Sequence, residues 1–200
     1  MTKKLLLATN NQAKVREYRN LFQDLSYELV TPADMNIDTS VNEDGASFEE
    51  NAMLKATTFA AESRLLSLAD DSGLEVDALD GEPGVISARY AGEGATDMER
   101  INYLLARLKD VPWEKRSARF RCVIAIVSPG TKTELCSGEC TGFVTFTPRG
   151  EHGFGYDPIF YLPERDKTMA ELTMKVKNRI SHRGQAAKKA YQVLRRLCAE

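Results

Sequence analysis

Histidine, cysteine and long apolar runs are scarce in this sequence. Its 200 residues hold two histidines and four cysteines. The cysteines (Cys122, Cys136, Cys140, Cys198) form no C-x-x-C pair and sit among apolar or strand-like neighbours. That is the usage of reduced, mostly buried thiols in a cytosolic protein, not of a disulfide framework. Cys136 and Cys140 are close in sequence, but two histidines and no further cysteine pair argue against a structural zinc site. No serine, cysteine or histidine triad is visible, which argues against covalent catalysis. No window approaches the roughly 18 apolar residues of a membrane span. Met1-Thr2-Lys3-Lys4-Leu5 is too short an apolar start for a signal peptide. An excess of one charge is missing as well: the formal net charge of -2 makes no case for nucleic-acid or membrane binding. The asymmetry that exists is local. Residues 164–200 hold ten Lys/Arg against four acids, so an anion would be received there, while the front half supplies the acids.

What is present is an ordinary globular composition, 42% hydrophobic and 28% charged, at a length that suits one sizeable domain or one domain with a small second lobe. Strand and helix signals alternate as in an α/β protein, with no repeat, low-complexity tract or linker. Residues 4–8 read as a buried strand. A polar turn at 9–14 follows, then a helix with Val15, Tyr18, Leu21, Phe22 and Leu25 at helical spacing and Asn11 as its N-cap. A strand, polar turn and helix present backbone N–H groups and the positive end of a dipole, which suits an anion. Lys14 could reach a phosphate there, or simply lie on a solvated face. Residues 27–31 read as a second strand, and the acidic segment 32–45 as a loop from which one carboxylate could enter a site. Ser47 and Glu50 form a capping box for a helix burying Phe48, Ala52, Ala56, Phe59 and Ala60, with Asn51 bonding nearby backbone. A second box, Thr96 to Glu99, opens a helix with Met98, Ile101, Leu105 and Leu108 as its buried stripe. Residues 117–128 form the most β-prone segment, apolar at consecutive interior positions and so buried on both faces. Pro129-Gly130-Thr131-Lys132 turns the chain into a second long arm, 133–146. A last helix carries Ala187, Ala190, Tyr191, Leu194, Leu197 and Cys198 on one face.

Three of the polar stretches carry the chemistry. Ala69-Asp70-Asp71-Ser72-Gly73 follows an apolar run and reads as a strand delivering two carboxylates and a hydroxyl to a turn at a sheet edge. Such a set suits a hard divalent cation and a phosphate; it also suits a plain solvated turn. Gly150 to Pro158 is glycine-rich with two aromatics and one acid. Glycine lets backbone approach a ligand and an aromatic offers a face to a base, though the same residues can make a loop that caps the core. His182 and Arg183 stand at the start of the last helix. Summed, the chain offers carboxylates for a metal, lysines and helix amides for phosphates, an aromatic for a base and a fork donor for base edges. That inventory fits a nucleoside polyphosphate with Mg²⁺ and hydrolysis by an activated water.

These residues fall in six motifs in order: Thr9-x-Asn11-x-x-Lys14-x-x-Glu17; Glu43-Asp44-Gly45 with Phe48 and Glu50-Asn51-Ala52; Ala69-Asp70-Asp71-Ser72-Gly73-Leu74; Pro83-Gly84-x-x-Ser87-Ala88-Arg89-Tyr90; Gly153-Phe154-Gly155-Tyr156-Asp157-Pro158; and Ser181-His182-Arg183-Gly184. In this the chain resembles the inosine triphosphate pyrophosphatase family, in its bacterial branch, from Leu5 to about Leu197. The resemblance implies an elongated mixed β-sheet flanked by helices, with two lobes around a central substrate cleft, spanning residues 1–200 as a single catalytic domain. It implies a cytoplasmic homodimer that cleaves ITP, dITP or XTP to the monophosphate and pyrophosphate, with no nucleic-acid or membrane partner. Asp71 would be the general base or metal-bound acid, Glu43 the Mg²⁺ ligand beside it, and Asp70 a possible further ligand. Thr9, Asn11, Lys14 and Ser72 would hold the phosphates, with Asn10, Gln12 and Ala13 completing the substrate-binding turn and Lys177 closing on the nucleotide. Phe154 would stack on the purine, with Gly155, Tyr156 and Asp157 lining its pocket. His182 and Arg183 would read the 6-oxo edge. Two departures from the family pattern stand out. Asn10 replaces the usual glycine, and Met174-Lys175-Val176 lacks the Glu that usually precedes the lysine matching Lys177. Two other readings remain beside this one: a Maf-like pyrophosphatase for pyrimidine or modified nucleotides, and a nucleotide-binding regulator without turnover.

Overall fold

The structure, a computed structural model, describes residues 3–129 and 132–199. Met1, Thr2, Glu200 and the Gly130-Thr131 part of the expected turn lie outside the described residues. The elements in chain order are β1 (Lys3–Leu7), α1 (Gln12–Leu21), β2 (Tyr27–Val30), α2 (Phe48–Ser63), β3 (Leu66–Val76), α3 (Asp97–Arg107), β4 (Ser117–Val127), β5 (Glu134–Val144), β6 (Phe160–Leu162), β7 (Lys167–Thr168), α4 (Met174–Ile180) and α5 (His182–Ala199). The strands make one open sheet in the order β2-β1-β3-β4-β5-β6-β7. β1 pairs in parallel with β2, Leu5 opposite Leu29, and with β3, Leu7 opposite Leu68; β5-β6 and β6-β7 are antiparallel. The sheet is therefore mixed, as expected.

By packing, the chain divides into two compact units, Met1–Asp71 with Cys122–Gly138 and Arg183–Glu200, and Ser72–Arg121 with Glu139–His182. Each has its own core. In the first, period-2 alternation sends Leu5, Leu7, Leu68, Cys122, Ile124 and Ile126 into one layer under Tyr18 of α1, Phe22 at its C-cap, and Ala186, Ala187, Ala190 and Leu194 of α5. The residues between them, Leu6, Val123 and Ala125, are equally buried, so β1 and β4 are covered on both faces and read as unbroken apolar runs. α2 buries Phe48, Ala52, Ala56, Phe59 and Ala60, the face its alanine spacing announces. In the second unit Leu74, Val76, Ala118, Phe120, Val144 and Phe160 meet Ile101 and Leu104 of α3 and Leu108 at its C-cap.

Three local expectations need correction. Asp70 to Gly73 is not a turn at a sheet edge but the interior of β3, which lies between β1 and β4; ladder pairing on a central strand overrides the turn preference of Asp, Ser and Gly. Met98 is half-exposed, because the α3 stripe that meets the core begins one turn later, at Ile101. The Ser47 box is only half closed: Ser47 Oγ accepts from Glu50 N, while the Glu50 carboxylate accepts from Ala46 N at 2.7 Å.

Candidate active site

The first unit builds its site where strand order reverses. The chain leaves β1 for β2 on one side and returns to β3 on the other, so the carboxyl end of β1 is the switch point where open α/β sheets bind ligands. Ala8 N still donates to Leu68 O at 2.8 Å; beyond it β1 gives way to the Thr9–Lys14 turn while β3 runs on through Asp70 and Asp71. In the turn, Thr9 Oγ1 accepts from Asn11 N at 3.2 Å, and Asn11 Oδ1 accepts from Ala13 N and Lys14 N at 2.9 and 3.2 Å. Gln12 Nε2 donates to Asn10 O. Asn10 is not among the residues with positive φ, so this turn makes no demand that only glycine meets.

Successive residues of a strand point to opposite faces, and this separates the two acids read as a pair. Asp70 faces α1 and α5. Its carboxylate lies 3.1 Å from Lys14 Nζ and 3.1 Å from Arg183 Nη2, and Arg183 Nη1 donates to Glu17 at 2.9 Å. Glu17, Asp70 and Arg183 are all buried. Burial alone would raise the Asp70 pKa, but Lys14, Arg183 and Lys55 outweigh it and hold this carboxyl well below the usual range. Burial, reinforced by the Asp70 charge, pushes the adjacent Cys122 thiol up to about 12, so it is inert. Asp71 faces α2. Asn51 Nδ2 donates to its Oδ2 at 3.0 Å, and Lys55 Nζ stands 3.6 Å from its Oδ1. Here burial, with the Glu43 charge, prevails over the pull of Lys55 and Lys14, and the Asp71 pKa rises.

Lys55 Nζ also meets Glu43 Oε2 at 2.8 Å, so one ammonium is shared by the two acids expected to hold a metal. Among the described residues no three acids, histidines or cysteines converge on a metal position. Two carboxylates do converge on one cation, which is the donor set that Mg²⁺ takes when substrate phosphates complete its shell. Glu43 and Asp71 fit that role. Asp70 points to the other face of β3, with Oδ1 3.1 Å from Lys14 Nζ and Oδ2 accepting from Arg183.

The second unit gathers Phe154, Asp157 and Lys177. Asp157 Oδ2 accepts from Phe154 N at 2.9 Å and from Lys177 Nζ, and that ammonium sits 4.7 Å from the Phe154 ring centroid. Gly153 has φ +78°, and a Cβ there would strike the Asp157 carboxylate, so the close approach requires glycine. Tyr156 OH donates to Ser87 O at 3.0 Å. His182 is buried and stacks on Phe120, centroids 4.5 Å apart. Ser72, half-buried, opens this unit's share of β3. Arg183 is not the surface donor that its place at a helix start suggests; its guanidinium is 1% exposed and fixed by two acids.

Sequence reasoning missed Lys55 altogether and saw Asn51 only as a backbone partner. Its Oδ1 does accept from Gly45 N at 2.9 Å, but its other end holds Asp71. The available signal was spacing: Asn51, Lys55 and the apolar Ala52, Ala56 and Phe59 recur on the buried side of α2, where a polar residue needs a partner.

Comparison with known proteins matches this architecture over nearly the whole chain. The chain is 50% identical over 194 residues to a protein named dITP/XTP pyrophosphatase from Desulforamulus reducens, covering 97% of this chain and 96% of that one. It is 45% identical to a protein of the same name from Bacillus subtilis, covering 96% and 97%. Among solved structures, the Ham1 protein from Coxiella burnetii superposes with a TM-score of 0.88 at 42% identity, covering 97% of this chain and 99% of that one. The Staphylococcus aureus Ham1 protein gives 0.86 at 42% identity, covering 96% and 98%. With the Ham1 family model matching residues 5–193, the chain belongs to the Ham1 family.

Proposed function

We propose that this chain hydrolyses non-standard purine nucleoside triphosphates (ITP, dITP and XTP) to the monophosphate and pyrophosphate, keeping deaminated purines out of nucleic acids. The observation that carries the reading is Asp71, a buried carboxylate with a raised pKa, oriented by Asn51 and faced by Lys55 and Glu43. A base with its pKa moved toward neutrality takes a proton from water more effectively at working pH. Asp71 would accept that proton as the water oxygen bonds to phosphorus and the α–β anhydride bond breaks, with pyrophosphate as the leaving group. Glu43 and Asp71 would hold Mg²⁺, which when bound supplies charge neutralisation at the phosphate oxygens. Thr9, Asn10, Asn11, Gln12, Ala13 and Lys14 receive the phosphates at the start of α1, joined by Ser72 and Lys55. Phe154 carries the purine, with Gly155, Tyr156, Asp157 and Lys177 around it, and His182 and Arg183 read the 6-oxo edge. A donor aimed at the 6-oxo group rejects a 6-amino group by leaving two donors face to face. The family resemblance adds that the 200 residues act as one catalytic domain in a cytoplasmic homodimer.

The test is pyrophosphate release with Mg²⁺ from ITP, XTP, GTP, ATP, UTP and TTP side by side. Fast ITP and XTP with feeble ATP is the expected outcome. Preference for UTP or TTP would move the chain to a Maf-like activity, and tight binding without turnover would make it a regulator.

A further inference from the structure

The capping box at the start of α3 leaves one carboxylate unaccounted for. Thr96 Oγ1 accepts from Glu99 N, and Glu99 Oε2 accepts from Thr96 N at 2.7 Å, so the box is complete without Asp97. Asp97 instead turns its Oδ2 to Gly155 N at 2.6 Å, 58 residues along the chain, while its Oδ1 pairs with Arg100. Arg100 in turn donates to Ala88 O at 3.0 Å and to Ala95 O, which fixes the direction of the carboxylate. Gly155 is the residue after Phe154 and has φ +60°. The loop 153–156 contains no regular hydrogen-bonding ladder, and side chains hold it: Asp157 on Phe154 N, Asp97 on Gly155 N, Tyr156 through its own hydroxyl on Ser87 O, and Lys177 against the Phe154 ring. Asp157 belongs to the loop's own end. Asp97 holds it from outside.

We infer that Asp97 is a positioning residue for base recognition: through the Gly155 amide it sets where the Phe154 ring stands, and so how well the site binds the purine. The inference rests on the reading that Phe154 carries the base. A hydrogen bond from an amide to an ionised carboxylate is among the stronger ones, and its loss removes the restraint that fixes the Gly155 peptide directly after Phe154. The effect belongs to binding of the base, since Asp97 is built into the second unit with Phe154, whereas the phosphate-receiving turn and Asp71 belong to the first.

The experiment measures KM and kcat for ITP, and inhibition by inorganic tripolyphosphate, in wild type, Asp97→Ala, Asp97→Ser and Asp97→Asn. Tripolyphosphate has no base and reports the phosphate end separately. For Asp97→Ala, KM for ITP is expected to rise about tenfold with kcat within about twofold, while the tripolyphosphate inhibition constant stays at the wild-type value. Asp97→Asn keeps an acceptor for Gly155 N–H and is expected to restore KM to near wild type. Asp97→Ser is tolerated in a first helical turn but is too short to reach the loop, and it carries the test if the alanine variant does not fold. An unchanged KM in the Ala and Ser variants overturns the inference, as does a parallel rise in the tripolyphosphate constant, which would mark a general loss of structure. A wild type that neither turns over nor binds ITP overturns the nucleotide reading itself, and this inference with it.

Discussion

One step of strand alternation gives Asp70 and Asp71 different chemistry. Asp70 is wrapped in cations and stays ionised; Asp71 is desolvated and its proton affinity rises. Removing each should therefore fail differently. Asp71→Asn keeps the side chain's size and the contact with Asn51 but cannot take a proton. Its kcat should fall about 10²- to 10⁴-fold, with ITP affinity, read by calorimetry, within a factor of a few; near-normal turnover would sink the assignment. Asp70→Asn leaves Lys14 and Arg183 facing a neutral amide in a buried place, a loss of about 3–5 kcal/mol in folding stability. Because the folded-state pKa of Asp70 is depressed, its contribution is fully present above the unfolded value near 4 and is lost as pH falls through the folded value. Urea denaturation should show a constant gap between wild type and Asp70→Asn from pH 7 to 5, narrowing below about pH 4. A gap that widens with acid would mean that Asp70 is not held ionised.

At the scale of elements, caps and stripes were legible because they are local. Asn11 and Thr96 cap the helices they were expected to cap, and α2 buries the face its alanines mark. β3 was misread at its acids because composition there describes a turn, whereas the strand's place between two others decides its conformation. Arg116, which leads into β4, was not legible at all, for its partners come from two other segments, 108–111 and 145–146. It is 1% exposed, and its guanidinium bonds to backbone carbonyls: Nε donates to Val111 O at 2.9 Å, Nη1 to Thr145 O at 3.0 Å and Nη2 to Leu108 O. The Phe146 ring lies 4.1 Å from its Cζ. This guanidinium closes the turn that follows α3, taking Val111 O and adding a second donor to Leu108 O, which already accepts from Val111 N at 3.0 Å. A lysine ammonium has no planar fork to span three carbonyls. Arg116→Lys should cost about 1–3 kcal/mol by leaving at least one of them unpaired, read as a lowered urea midpoint with kcat at saturating ITP unchanged. An unshifted midpoint would show that solvent already satisfies these carbonyls.

Across the molecule, what escaped the sequence is long-range pairing. Arg183 meets Glu17 across 166 positions and Asp70 across 113, and no periodicity encodes such a partner. What the sequence did show was enough apolar material for a sizeable core, and the family resemblance implied two lobes; which residues fall in which core is set by packing. Leu194 of α5 belongs to the first core and Leu104 of α3 to the second, and both are fully buried. The two clusters share no member, so truncating one leucine removes contacts that the other does not make. Leu194→Ala and Leu104→Ala should each cost about 2–5 kcal/mol, the range for deleting a buried leucine and leaving part of the cavity behind. If the units are held by separate cores, the double variant should lose the sum of the two to within about 0.5 kcal/mol. Equilibrium denaturation of all four proteins closes the cycle. Additive losses would mean that each unit keeps its own packing energy, so that substitutions around Phe154 and around Asp71 can be judged independently. A coupling energy above about 1 kcal/mol would mean that the two cores behave as one, and every single-site effect argued for either unit would then have to be measured against a background in which the other is intact.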